Sequence, residues 1–79
     1  MRIIFQPSPE FALHLPDLEA PEPERLTAQK LVNVVGRHVA RHLAQKKYKG
    51  WTVKVTSPNQ GNIHLGKTDK TIQFAISYR

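Results

Sequence analysis

Cysteine is absent from the 79 residues. That excludes a disulfide framework, a thiol nucleophile and a thiolate metal site. Long apolar runs are absent as well. The longest near the N-terminus is Ile3-Ile4-Phe5, shorter than a signal-peptide core and far short of the ~20 residues of a membrane span. The expectation is a soluble, cytoplasmic protein without membrane contact. No glycine-rich phosphate loop is present, and Ser8, Ser57 and Ser77 lie outside any nucleophile-elbow context. Carboxylates beyond residue 24 reduce to Asp69, which leaves no acid–base pair for hydrolysis. An enzyme is the less expected outcome, and no cofactor is expected.

What is there is positive charge. Twelve Lys and Arg face six Asp and Glu, a net +6. The distribution along the chain is uneven. Residues 1–24 carry Arg2 against Glu10, Asp17, Glu19, Glu22 and Glu24, a sum of −4. Residues 25–79 carry +10. Five of the six prolines fall between Pro7 and Pro23. A single small domain over 1–79 is expected, with a strand and an acidic, proline-rich arm over 1–24 and a basic helix and β-meander over 25–79. Such asymmetry points to nucleic-acid or membrane contact, or to internal charge compensation.

Periodicity divides the chain further. Ile3, Ile4 and Phe5 predict a short strand over 2–6 at a sheet edge, ended by Pro7 and Pro9. Phe11, Leu13 and Leu15 alternate as a second strand or as an extended segment lying on the core. Residues 16–24 read as irregular. Ala28, Leu31, Val32, Val35, Val39 and Leu43 form one apolar helical stripe within 24–48. Pro23 suits the first helical position, Thr27 competes as N-cap, and Gly50 is a stop. Gly36, inside the helix, suggests close approach of a strand.

Three strands are expected next. Trp51, Val53 and Val55 alternate with polar residues, as do Ile63 and Leu65, and then Ile72, Phe74, Ile76 and Tyr78. The connections 57–62 and 66–70 are rich in turn formers. The fold class is therefore α+β: an N-terminal strand and one long amphipathic helix on a three- to four-stranded antiparallel sheet, in the order β-α-β-β-β. The helix covers one sheet face, and the other is polar and open.

Four groups of residues could carry chemistry. Lys30, Arg37 and Arg41 line the outer helix face, which suits phosphate contact and equally suits plain solvation. Lys46, Lys47, Tyr48, Lys49 and Trp51 interleave charge with rings, the means of holding single-stranded nucleic acid. Trp51 falls in phase with the core, so Tyr48 is the expected stacking ring. Asn59, Gln60, Gly61, Asn62 and His64, with Lys67 and Lys70 in the next turn, offer hydrogen bonds to bases or riboses, or simply build a hairpin. Lys54 adds to the field. His38 and His42 stand four apart, a chelating spacing, but lack neighbouring ligands, so no metal is expected.

The order of a helix, a Gly50-Trp51 junction and three antiparallel strands resembles the first elements of the double-stranded-RNA-binding fold. It is similar to that of the HicA-like toxins, ribonucleases built on the same plan. The resemblance covers roughly residues 30–79 and rests on element order. In those toxins a Gly-Ser-His motif places the catalytic histidine on the second strand. Gly61-Asn62-Ile63-His64 is one residue longer and lacks the serine, and no second helix follows. What the resemblance implies is a HicA-like ribonuclease using His64. The leading expectation is a small non-enzymatic nucleic-acid-binding protein, DNA or RNA. The alternative is a protein-binding module, inhibitor or homodimer acting through the open sheet face or an edge strand.

Overall fold

The computed structural model describes residues 1–7, 14–20 and 27–79. The elements are β1 (Arg2–Pro7), β2 (Leu18–Glu19), α1 (Ala28–Leu43), a 3-10 turn (Lys46–Tyr48), β3 (Thr52–Ser57), β4 (Gln60–His64) and β5 (Thr71–Tyr78). The strands form one antiparallel sheet in the order β2-β1-β5-β4-β3. The α+β class holds, with five strands rather than three or four.

Two-residue alternation builds the sheet. Ile72, Phe74 and Ile76 are buried, while Thr71, Gln73, Ala75 and Ser77 between them are exposed. Ile3 and Phe5 of β1 and Ile63 of β4 join the same inner face. Val35, Val39 and Leu43 of α1 cover it. Burial of such side chains contributes about 1.5–3 kcal/mol each.

Three expectations are decided at the N-terminal half. First, β1 is interior, because β2 flanks it through Arg2–Glu19 and Ile3–Leu18 pairing. Met1 N donates to Ala20 O at 2.9 Å, and Ala20 N returns a bond of the same length to Met1 O. The second strand thus lies at 18–19, inside the stretch read as irregular. Second, Leu15 is buried outside any strand, which matches an extended segment on the core; residues 11–13 lie outside the described residues. Third, Thr27 caps the helix, its Oγ1 accepting from Lys30 N at 3.3 Å. Pro23 lies outside the described residues.

The helix also stops earlier than expected. Regular α-structure ends at Leu43, and the chain folds into the 3-10 turn. That tighter turn carries Tyr48 into the core, where it is 6% exposed. Gly50 then takes a φ of 87°, a left-handed conformation that glycine adopts at low cost. The β3–β4 connection is tighter than the turn-former density suggested. It consists of Pro58 and Asn59, and Gln60, Gly61 and Asn62 are already in β4. Gly36 does face a strand: a Cβ there would lie 3.7 Å from Val55 Cγ2 of β3.

Candidate nucleic-acid interface

The helix outer face follows directly from α-geometry. Lys30, Arg37 and Arg41 fall within a sector of about 40° at 100° per residue, opposite the buried Val35 and Val39, and all three are exposed. They form one row along α1.

A second group is assembled by tertiary structure. Lys46, Lys47 and Lys49 follow the helix, and Lys67 and Lys70 sit in the β4–β5 turn. The pairing of Thr52 with His64 and of His64 with Thr71 brings the two segments to one end of the sheet. There they nearly touch: a Cβ on Gly50 would lie 3.7 Å from Gly66 Cα, and one on Gly66 would lie 3.8 Å from Trp51 Cδ1. Gly66 is left-handed too, with φ 57°. All five lysines are exposed, with Asp69 the sole acid in either segment.

The third group is separated from the first. Lys54 and His64 lie on the sheet face away from α1, the register pairing Lys54 with Asn62 and Thr52 with His64. Helix arginines and these two residues cannot share one flat surface. The His64 imidazole makes no hydrogen bond among the described residues, and its cross-strand neighbours are Thr52 and Thr71, neither a proton-transfer partner. Asn59 holds the hairpin, its backbone N–H donating to Ser57 Oγ at 3.3 Å and its Nδ2 to Ile76 O at 3.4 Å.

Tyr48 is corrected as a stacking candidate. Its ring is buried between His42 at 5.6 Å and Trp51 at 5.0 Å between centroids, with Lys47 Nζ 4.9 Å from its centroid. A ring so enclosed presents no face to a base. Trp51 is the partly exposed ring. It lines a cleft of about 650 Å³ with Ala40, Ala44, Lys46, Lys49 and Val53. The alternation of β3 assigned Trp51 to the core, and the ring does pack against it while staying partly exposed at the cleft, because the residue precedes the first paired position of the strand and lies past the end of α1. Its neighbour Gly50, a chain-reversal signal, was the clue to that position.

The two helix histidines meet different neighbours. His38 stacks on Phe5, centroids 5.4 Å apart and planes 15° from parallel. Its Nε2 donates to Pro16 O at 3.2 Å, tying residue 16 to the helix. His42 accepts at Nδ1 from Gln45 Nε2 at 3.5 Å, and its buried Nε2 finds no partner among the described residues. Burial, and next the positive neighbours His38, Lys47 and His14, hold the His42 imidazole below the ordinary histidine range despite a backbone contact at His14 that acts the other way. Among the described residues no helix is long and apolar enough to cross a membrane. No protein family, curated protein or solved structure matches the chain.

Proposed function

We propose that the chain is a small, non-enzymatic protein that binds single-stranded nucleic acid at its lysine-rich end. The observation that carries this reading is the contact of Gly50 with Gly66, which sets Lys46, Lys47 and Lys49 beside Lys67 and Lys70 around a partly exposed Trp51. Five exposed ammonium groups attract phosphates without reading sequence. An indole among them offers a base a flat surface on which to stack. Arg37 and Arg41 extend the field along the helix, so a strand leaving the lysine end follows α1. Under this reading the protein works in the cytoplasm.

The test is fluorescence anisotropy with labelled single- and double-stranded DNA and RNA at two salt concentrations. Each phosphate contact to a single strand contributes about −0.7 to the logarithmic salt slope. Five contacts therefore weaken binding on the order of 100-fold between about 50 and about 200 mM salt. Changing Lys67 and Lys70 together to alanine lowers the slope by about 1.4. Binding that ignores salt, or no binding at the lower concentration, overturns the reading.

A further inference from the structure

The sheet ends at β3, which pairs with β4 on one side and with no other strand among the described residues. Two bonds reveal which of its backbone groups face outward. Leu65 N donates to Lys70 O at 3.1 Å, and Ile76 N donates to Asn59 O at 2.8 Å. Odd-numbered residues around β4 thus bond toward β5. Hydrogen-bonded positions alternate in an antiparallel ladder, so Asn62 and His64 bond toward β3, where they meet Lys54 and Thr52. Val53 and Val55, the residues between, turn their N–H and C=O groups away from β4. That edge offers two donors and two acceptors to an added strand.

A groove runs beside the edge. One stretch, of about 520 Å³, lies between Val32, Gly36 and Arg37 of α1 and Val55 of β3. The cleft containing Trp51 and Val53 lies further along the same helix–strand junction. Gly36, Ala40 and Ala44 keep the helix wall low. The rim is cationic: Arg37, Lys46 and Lys49 border the groove, and Lys54 sits on β3 itself. No carboxylate lines either stretch among the described residues.

We propose that this groove receives an extended acidic peptide segment of a partner protein, added as a sixth strand to β3. Its backbone would pair with Val53 and Val55, the mode of recognition by strand addition. Alternate side chains would face the low wall at Gly36 and Ala40, and the others would share the outer face with Lys54. Charge selects the occupant. A second copy pairing through its own β3 would bring two Lys54 side chains onto one face and two cationic rims together, and like charges across strands are destabilising. An acidic segment meets the same cations favourably. The groove shares Arg37, Lys46, Lys49 and Trp51 with the surface proposed for nucleic acid, but the outward N–H and C=O groups of Val53 and Val55 are its own, so the amide shifts and Val53→Pro test it separately from oligonucleotide binding.

The experiment uses the full chain and a fluorescein-labelled hexapeptide alternating glutamate and valine, with a lysine-for-glutamate peptide as comparison. Expected are saturable anisotropy for the glutamate peptide, affinity at least about tenfold weaker for the lysine peptide, and amide shifts in nitrogen–proton spectra at Val53 and Val55. Val53→Pro removes one outward N–H and is expected to weaken binding at least about tenfold. The double variant Arg37→Glu with Lys54→Glu, confined to exposed side chains, is expected to do the same if Val53→Pro fails to fold. No binding of the glutamate peptide, equal affinity for both peptides, unmoved Val53 and Val55 amides, or a dimer formed through Val53 overturns the proposal.

Discussion

The phenyl ring of Phe74 lies directly over the Cα of Gly61, its paired neighbour across β4 and β5. A Cβ on Gly61 would collide with Cζ and lie 2.7 Å from Cε1 and 3.0 Å from Cε2. The ring cannot easily swing aside, because Phe5 packs against it at 6.2 Å and Phe74 is 2% exposed. Glycine here is a packing requirement rather than a turn signal.

Gly61→Ala is therefore expected to destabilise the fold by about 1–3 kcal/mol through overpacking. In a domain of this size that lowers the melting midpoint by roughly 4–8 °C per kcal/mol. Calorimetry checks it, and a compensating Phe74→Leu change should recover part of the loss. Unchanged melting of Gly61→Ala would mean that the ring does not occupy that place.

Gly36 behaves in the opposite way. Its hypothetical Cβ meets Val55 Cγ2 at an ordinary 3.7 Å, so Gly36→Ala fits without strain. The gain is up to about 1 kcal/mol from helix propensity and reduced freedom of the unfolded chain. Denaturant titration should show a higher midpoint with an unchanged slope; a lower midpoint contradicts the spacing of α1 and β3.

Acid should weaken the fold through His42. Its imidazole is held below the ordinary range in the folded state, chiefly by burial and then by His38 and Lys47. The unfolded chain accepts the proton more readily, near pH 6.5, so proton uptake favours unfolding. Stability present above that pH is lost as the pH falls through it toward the lower folded value. The melting midpoint is expected to fall between about pH 7.5 and about pH 5.5, and His42→Gln should flatten the fall. An equal fall in both proteins would assign the effect elsewhere.

Trp51 and Tyr48 should separate binding from stability. Trp51 is the single tryptophan, so quenching of its fluorescence by single-stranded DNA reports contact directly. Trp51→Phe, which keeps a ring, is expected to retain more affinity than Trp51→Ala, which loses about 1–3 kcal/mol per stacked base. Tyr48→Ala instead removes a buried ring and is expected to cost about 3–5 kcal/mol of stability. A Tyr48 variant that melts normally yet loses nucleic acid would reverse the two assignments.

Much of this was legible in the residues themselves. Period-two alternation identified β3 and β5 and their inner faces, because side chains of a strand point alternately to its two sides. The three- and four-residue spacing of Ala28, Leu31, Val32, Val35, Val39 and Leu43 identified the helix and, by opposition, the exposed row of Lys30, Arg37 and Arg41. Both are local properties set by backbone geometry. Leu18–Glu19 gave no such signal: a two-residue strand has no period, and it exists because Arg2 and Ile3 provide an edge to pair with.

Sequence by itself determined the α+β class, the polar open face and the basic character of the helix and the turns. Tertiary structure alone decided which cations are neighbours. Lys49 and Lys67 are distant along the chain and come to the same end of the sheet because β3 and β4 pair and the left-handed Gly50 and Gly66 approach each other there. The same packing removed the stacking role expected of Tyr48, since a 3-10 turn drew that ring inward, and left Trp51, packed on the core, partly exposed at the cleft. Long-range pairing and burial determine such contacts, and no local pattern in the chain encodes them.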